Sequence, residues 1–383
     1  MEDGIRRVAA EIDLAAAVSN IREIRALAGN DVKLMAVVKA DGYGHGAEQI
    51  AKAVDPYVDC YAVATVLEGI KLRRKWITKP ILILGYTFPE DLKAVVEYDI
   101  SQTIFTEEDA RMLSETAVKA GKKASVHFAL DTGMSRIGFR DDAESAETVV
   151  RIAAMPGINA EGIFTHYATA DEADLTKALR QRERYHHFVD VLREKGLELP
   201  YRHVANSAGI MEMPREDETM VRAGIILYGL YPSSDVHQEK LSLKPVMRYV
   251  SHVAYVKTLP AGCEISYGGT YTTTRDTRVA TIPVGYADGY PRILSGKGDV
   301  LIHGHRCRIL GRVCMDQMMV DVTGVPETVA GDLVTLIGRD GAEEITADEL
   351  AALAGTINYE IVCGISARVP RLYDGAGISD QNR

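Results

Sequence analysis

The chain lacks any apolar run approaching the ~18 residues of a membrane span. In the N-terminal MEDGIRRVAAEIDLAAAV, acids and arginines interrupt every apolar stretch, so no signal-peptide core is present. Positive charge is in deficit: 44 Lys+Arg against 54 Asp+Glu leave a formal charge of −10, and a net acidic chain has no electrostatic reason to track a phosphate backbone. Cysteine is scarce and scattered. The five residues Cys60, Cys263, Cys307, Cys314 and Cys363, without a CxxC pair, fit reduced thiols better than a disulfide framework. Proline is sparse too, 13 against 33 glycines, and neither a low-complexity segment nor a repeat is apparent. These absences lead us to expect a cytoplasmic protein that partners neither nucleic acid nor membrane.

What is present is an ordinary globular composition, 46% hydrophobic and 26% charged over 383 residues, long enough for two domains or for one large barrel with an appendage. Between residues 33 and 230, short apolar runs alternate with helical patterns. The runs are VKLMAVVK, DCYAVAT, KPILILG, DISQTIF, KASVHFAL, INAEGIFTH, YRHVANS and ETMVRAG, and several are apolar on both parities, as strands of a covered parallel sheet are. Between them lie amphipathic stretches such as Ala47, Ile50, Ala51 and Val54, and the long KALRQRERYHHFVDVLREKG. This α/β alternation predicts an N-terminal (β/α)8 TIM-like barrel over residues 14–240. From 241 to 383 the pattern changes to strand-like runs (MRYVSHVAYVKTL, TRVATIPVGY, DVLIHG, RCRILGRV, QMMVDV, DLVTLIG) between glycine-rich turns, with only ADELAALAG helical, which predicts a mostly β C-terminal domain. The alternation in RRVAAEID suggests that residues 1–13 add a strand to that domain.

A barrel places its active site at the C-terminal ends of its strands. The first run ends there in Lys39, where a buried amine must pair or lose its charge, and so becomes available for nucleophilic or base chemistry. A lysine that snorkels from the barrel mouth is the alternative. Gly42, Gly44 and Gly46 follow as GxGxG, which is not a dinucleotide fingerprint; a loop needing several positive φ angles accounts for them. Strands seven and eight end in Asn206-Ser207 and in Arg222-Ala223-Gly224-Ile225, where barrels commonly cradle a phosphate with backbone N–H groups and a hydroxyl. Ser207 has the alternative of a helix cap. A strand-end lysine beside a phosphate cradle is the pairing that pyridoxal phosphate requires. Asp131, Arg136 and His166 share the rim, Asp131 with the alternative of a turn former. His303, His305 and Cys307 alternate across a glycine turn without a carboxylate, so a hairpin surface rather than a metal site is expected there.

Taken together, AVVKADGYGHG, DTGMSRIGF, FTHYATAD, VANSAG, VRAGIILYGLYP, ISYGGTY, IPVGYADGYPR, GRVCMDQMMVD and INYEIVCGISARVPR, in this order over nearly the whole chain, resemble the alanine racemases. The resemblance implies a pyridoxal 5'-phosphate enzyme of barrel plus β domain that interconverts L- and D-alanine and supplies D-alanine for peptidoglycan. By position, Lys39 would carry the cofactor and act on the D-face, and Tyr267 would be the opposing base on the L-face. Tyr43, Ser207, Gly224, Ile225 and Tyr359 would bind the phosphate with Asn206 in support, Arg136 would hold the phenolic oxygen, and Arg222 would face the pyridine nitrogen. His166 resembles the histidine that links the tyrosine to the cofactor side; a tyrosine is ordinarily too weakly acidic to serve as a base near neutrality, so a cationic or hydrogen-bonding neighbour is useful. Met315, Asp316, Tyr286 and Arg312, with Arg136, would line the substrate site and its entrance.

The resemblance further implies a head-to-tail homodimer in which Tyr267 and Met315 of one subunit complete the other's site. One departure stands out: many relatives carry a carbamylated lysine two residues before the DTGM aspartate, and this chain has Ala129. A bound anion such as chloride near Arg136 is the expected substitute, since a buried arginine without counter-charge is costly. The competing readings are a serine or broader small amino acid racemase, against which Tyr359 would restrict the pocket, and a non-catalytic pyridoxal phosphate carrier, which the β domain opposes. A basic amino acid decarboxylase lacks its substrate motif here.

Overall fold

The computed structural model describes residues 7–374, and the chain divides into two compact units. One comprises Ala16–Gly42 and Ala47–Lys244; the other takes in, among the described residues, those up to Ala15, Tyr43–Gly46 and those from Pro245. No helix among the described residues is long and apolar enough to cross a membrane.

The chain starts with β1 (Val8–Asp13), which belongs to the second unit. The first unit is built on β2 (Lys33–Val37), β3 (Cys60–Val63), β4 (Ile81–Ile83), β5 (Ser101–Ile104), β6 (Ala124–Asp131), the short β7 (Phe139–Arg140), β8 (Ile158–Phe164), β9 (Tyr201–His203) and β10 (Met220–Ala223). All residues of β3, β4, β5 and β10 are buried, as the doubly apolar runs require. The pairing is parallel throughout, in the order β10-β2-β3-β4-β5-β6-β8-β9. Its two ends meet through Thr219 N donating to Arg202 O at 2.9 Å and Arg222 N to Ala205 O at 3.0 Å, so the sheet is a nearly closed (β/α)8 barrel. Helices cover it with one apolar face each: Ala47–Val54 buries Ile50, Ala51 and Val54. Thr65 and Thr106 cap the helices that follow β3 and β5 through their hydroxyl oxygens.

The second unit contains a ten-stranded sheet: β11 (Met247–His252), β12 (Tyr255–Leu259), β15 (Thr277–Ile282), β16 (Asp299–Ile302), β17 (His305–Leu310), β18 (Met318–Asp321), β19 (Leu333–Asp340), β20 (Glu343–Ile345) and β21 (Arg371–Asp374) join β1, while β13 (Glu264–Ile265) and β14 (Tyr271–Thr272) form a hairpin of their own. β1 lies between β11, antiparallel to it, and β21, parallel to it. Three features differ from the sequence expectation. MRYVSHVAYVKTL reads as one run but breaks at Val253-Ala254, because β11 pairs with β1 and β19 whereas β12 pairs with β15. Asn358–Cys363 is a second helix beside Ala347–Ala354, too short at 6 residues to display a helical period. β21 directly follows Pro370 and has only four positions on which to show alternation.

Asn20 illustrates how the barrel's last turn is held. Buried in the first helix (Leu14–Ala28), its amide donates to Leu227 O at 3.2 Å and Lys244 O at 2.8 Å, and its oxygen accepts from Lys244 N at 2.8 Å. Asn20→Leu strands these backbone groups in an apolar setting, for an expected loss of at least about 2 kcal/mol. Urea unfolding checks this: the midpoint should fall with the slope unchanged, and an unmoved midpoint would mean that water serves those groups instead.

Candidate active site

β2 leads through the buried Val38 to the half-buried Lys39, and the chain then does something L-residues resist. Ala40, Asp41, Gly42 and Tyr43 all adopt left-handed angles, with φ of +53°, +51°, +62° and +51°. Such a conformation costs roughly 1–2 kcal/mol for each residue with a Cβ, so three of these four store strain beside the lysine. Gly42 N donating to Val38 O at 2.9 Å, Ala47 N to Asp41 Oδ1 at 3.0 Å and Ala40 N to Glu68 Oε1 at 2.8 Å hold the turn. Gly42, Gly44 and Gly46 have positive φ, as expected, and the sequence gives no sign that Ala40, Asp41 and Tyr43 share it.

Arg222, at 3% exposure, spends its donors on backbone carbonyls and imidazole nitrogens. Nη1 reaches His203 O and His203 Nδ1, both at 2.9 Å; Nη2 reaches Val204 O at 2.8 Å, Thr165 O at 3.0 Å and His166 Nδ1 at 3.2 Å. Burial lowers its pKa to about 10, helped by the charge of Arg136 and opposed by Tyr185 and Tyr167, so it remains a cation at neutrality. His166 is pushed down to about 3 by burial and by the charges of Arg222, Arg136 and Lys39. The four groups therefore share one electrostatic environment on the rim. His166 is neutral in it, so it can take part in hydrogen bonds but carries no charge.

Asn206 rather than Ser207 is the helix cap: its oxygen accepts from Gly209 N at 2.9 Å. Ser207 Oγ accepts from Gly224 N at 3.0 Å, which fixes the buried hydroxyl next to the Ile225–Tyr228 turn. Asp131 is the turn former, its Oδ1 taking Gly133 N and Ser135 N at 3.0 Å each. Arg136 lies beyond that turn and is exposed, while Ala129 is buried. The premise of a buried Arg136 does not hold in the single chain, where the residue is exposed.

In the second unit, Tyr43 and Tyr359 face each other with ring centroids 6.1 Å apart, and burial, assisted by Cys363, keeps the Tyr43 hydroxyl protonated. Tyr267 follows the left-handed Ser266 (φ +67°) and is 69% exposed. Ser266 Oγ donates to Arg312 O at 2.6 Å, Tyr286 N to Cys314 O and Ala287 N to Met315 O at 3.0 Å each. These bonds tie three loops, so Tyr267, Tyr286, Arg312, Met315 and Asp316 share one patch, with Tyr267, Met315 and Asp316 lining an open concavity. Met315 is 53% and Tyr286 41% exposed. The residues expected at the metal-like triplet do not converge: His303 bonds Asp332 at 2.7 Å, His305 is exposed and Cys307 is buried.

The sequence reading missed the support under this patch. Arg368 donates to Asp316 Oδ1 at 2.6 Å and to the buried Asp288 at 2.7 Å, and Arg7 grips Asp288 through two further bonds of 2.7 Å. Asp288 stands 281 positions from Arg7, so no local spacing signals the pair. Burial would raise the Asp288 pKa, but the two arginines and Gly285 N–H outweigh it and hold the carboxyl below the usual range. Its stabilisation is therefore fully present above the unfolded value of about 4 and is lost as pH falls through the lower folded value. Asp288→Asn should cost roughly 1–3 kcal/mol at neutral pH. Urea midpoints measured over a pH series should show the gap to the parent closing below about pH 4, and a gap independent of pH would contradict the ion-pair account.

The alanine racemase N-terminal domain model matches residues 12–232 and the alanine racemase C-terminal domain model residues 246–373. A relative from Methanococcus maripaludis, named alanine racemase, is 45% identical over 365 residues, 95% of this chain and 98% of its own. The solved alanine racemase of Clostridium difficile 630 is 43% identical with a TM-score of 0.93, over 97% of this chain and 96% of that one. Its complex with cycloserine matches at 42% identity and a TM-score of 0.90, over 96% and 95% of the two chains. Likeness at this level runs through both units and through the rim that carries Lys39, His166 and Arg222, and by it this chain belongs to the alanine racemase family of isomerases, which interconvert L- and D-alanine.

Proposed function

We propose that this chain racemises alanine with pyridoxal 5'-phosphate by a two-base mechanism, Lys39 serving the D-face and Tyr267 the L-face. The observation that carries the reading is the donor set of the barrel rim: a strand-end lysine amine, a permanently charged arginine that can only donate, and a hydroxyl fixed beside a backbone turn. That set fits the cofactor's aldehyde, pyridine nitrogen and phosphate respectively. Lys39 would carry it, Arg222 would meet the ring nitrogen and Arg136 the phenolic oxygen. Ser207, Gly224, Ile225, Tyr43 and Tyr359 would hold the phosphate, with Asn206 capping the helix in support. When bound, the cofactor acidifies the substrate's Cα–H bond.

The protein's own part is then proton transfer and placement. One base takes the Cα proton, and the other returns a proton to the opposite face, so neither suffices alone. Arg222 would give the ring nitrogen a hydrogen bond while keeping its own proton, which would limit the electron-withdrawing pull that the cofactor supplies there. Neutral His166 accepts from Arg222 at Nδ1, which places its proton on Nε2, ready to donate toward a tyrosine oxygen. Tyr286, Arg312, Met315 and Asp316 would shape the entrance and, with Arg136, receive the substrate carboxylate.

A base left 69% exposed, among exposed Met315 and Tyr286, is suited to completion by a second copy of the chain. We therefore include a head-to-tail homodimer with shared sites. An anion such as chloride beside Arg136 belongs to the same proposal: Ala129 supplies no charge, and where a second subunit covers Arg136 water no longer can. D-alanine for peptidoglycan is the expected use of the product.

Polarimetry on the purified protein with a panel of small amino acids tests the activity. Alanine should be racemised fastest, with serine slower by no more than roughly 100-fold, since one hydroxyl is a weak discriminator in such a pocket; bound cofactor without racemisation of any substrate would favour a carrier. Mixing Lys39→Ala with Tyr267→Ala subunits tests the shared sites. Each variant alone should be inactive and the exchanged mixture should regain one native site per heterodimer, whereas no recovery after confirmed exchange would remove the shared-site arrangement.

A further inference from the structure

Below the rim, a chain of buried polar side chains runs from Arg222 toward the opposite end of the barrel. His203, fully buried at the end of β9, receives Arg222 Nη1 at its Nδ1. Its Nε2 lies 2.8 Å from Nδ1 of His127, itself buried on β6. Nε2 of His127 faces Glu161 of β8, with Oε2 at 3.8 Å, too long for a direct hydrogen bond but close enough for ion–dipole attraction. Glu161 is fixed in turn by Ser125 Oγ at 2.6 Å, Asn159 Nδ2 at 3.0 Å and Ser101 Oγ at 3.3 Å. It lines a cavity with Lys33, Cys60, Ser101, Tyr201 and Met220, the first residues of five barrel strands, so this end is the N-terminal one.

The donors and acceptors along this chain can be ordered in one way. Arginine has no lone pair to offer, so His203 Nδ1 must be bare and the proton sits on its Nε2. His127 Nδ1 must then accept, which leaves the His127 proton on Nε2, directed at Glu161. Both rings are held for this order. His203 stacks on Phe164 at 5.0 Å and His127 on Tyr201 at 5.8 Å. Gly162 leaves the space that His127 needs, since a Cβ there would lie 2.4 Å from its Nδ1. Burial opposes the charge on Glu161, but His127, Ser125 and Ser101 prevail and hold its pKa below the usual carboxylate range. Burial, Arg222 and His127 keep His203 neutral.

We propose that Glu161 is a remote positioning residue for Arg222: through the fixed tautomers of His127 and His203 it supplies the counter-charge that the buried guanidinium has at neither of its hydrogen-bonded histidines. The proposal rests on the reading of Arg222 as the group that meets the cofactor ring. Its role is to keep the guanidinium aimed at the rim, not to touch substrate.

The test reads the imidazole nitrogens directly. In 15N NMR spectra of the purified enzyme, His127 and His203 should both carry the proton on Nε2. Glu161→Leu should add a population with the proton on Nδ1 and lower kcat roughly tenfold, the worth of about one charge-assisted contact, with KM for alanine little changed. Glu161→Gln preserves shape and removes charge, so it should fold where the leucine variant does not, and should show an intermediate kcat. Protons on Nδ1 in the parent, or parental 15N signals and kcat in both Glu161 variants, would overturn the proposal. The NMR result does not depend on turnover, so absence of racemisation in the parent would count against the functional reading and not against the relay.

Discussion

A buried guanidinium that can only donate sets the terms for this barrel. Arg222 must find an acceptor in each direction it points, and the strand ends around it comply by presenting carbonyls of Thr165, His203 and Val204. The same demand fixes the protonation of two histidines on either side, His166 toward the rim and His203 toward the interior. A lysine in the same place would offer three donors without a planar fork and could lose its charge on burial. The arginine therefore determines which neighbours accept and which are left free to donate, and the arrangement of the rim follows from that.

The two units differ in what they present. The barrel unit supplies rigid strand ends, a strained turn that presents Lys39, and charge that favours anions. The β unit supplies loops tied to one another by backbone bonds and by the Arg7–Asp288–Arg368–Asp316 cluster, which hold Tyr267 and Met315 outward. Tyr267, Tyr286 and Met315 are exposed on loops whose backbones these bonds tie together. That distinguishes this patch from ordinary surface exposure.

How much of this was legible beforehand depended on the range of the interaction. Parallel strands announce themselves by being apolar on both parities, and the eight runs correspond to β2–β6 and β8–β10. The strand-end positions of Lys39, Arg222, Ser207 and Gly224 were legible from the alternation itself. Arg136 was placed on the rim, but its exposure was not readable, since it is set by how the 131–138 turn leaves the surface. His203 stood in plain view inside YRHVANS, yet its importance comes from Arg222 across the strand pair, 19 positions away. The left-handed angles at Ala40, Asp41 and Tyr43 contradict local preference, and tertiary contacts alone sustain them. Asp288 and its arginines are joined over distances in the chain that no motif spans.

β1 carries a consequence for how the molecule is made. Its residues Val8, Ala9, Ala10 and Ile12 are buried, and its two neighbours in the sheet are β11 and β21, which begin at Met247 and Arg371. During synthesis the strand emerges before the barrel, and its second partner, β21, only after the entire barrel has left the ribosome. Until β11 emerges it is an apolar segment with both edges unpaired, and until β21 emerges one edge stays open, the kind of exposure that invites association with the wrong chain. The β unit is thus closed by a strand translated after the barrel, so a message truncated before β21 would yield a finished barrel beside a sheet that cannot be completed.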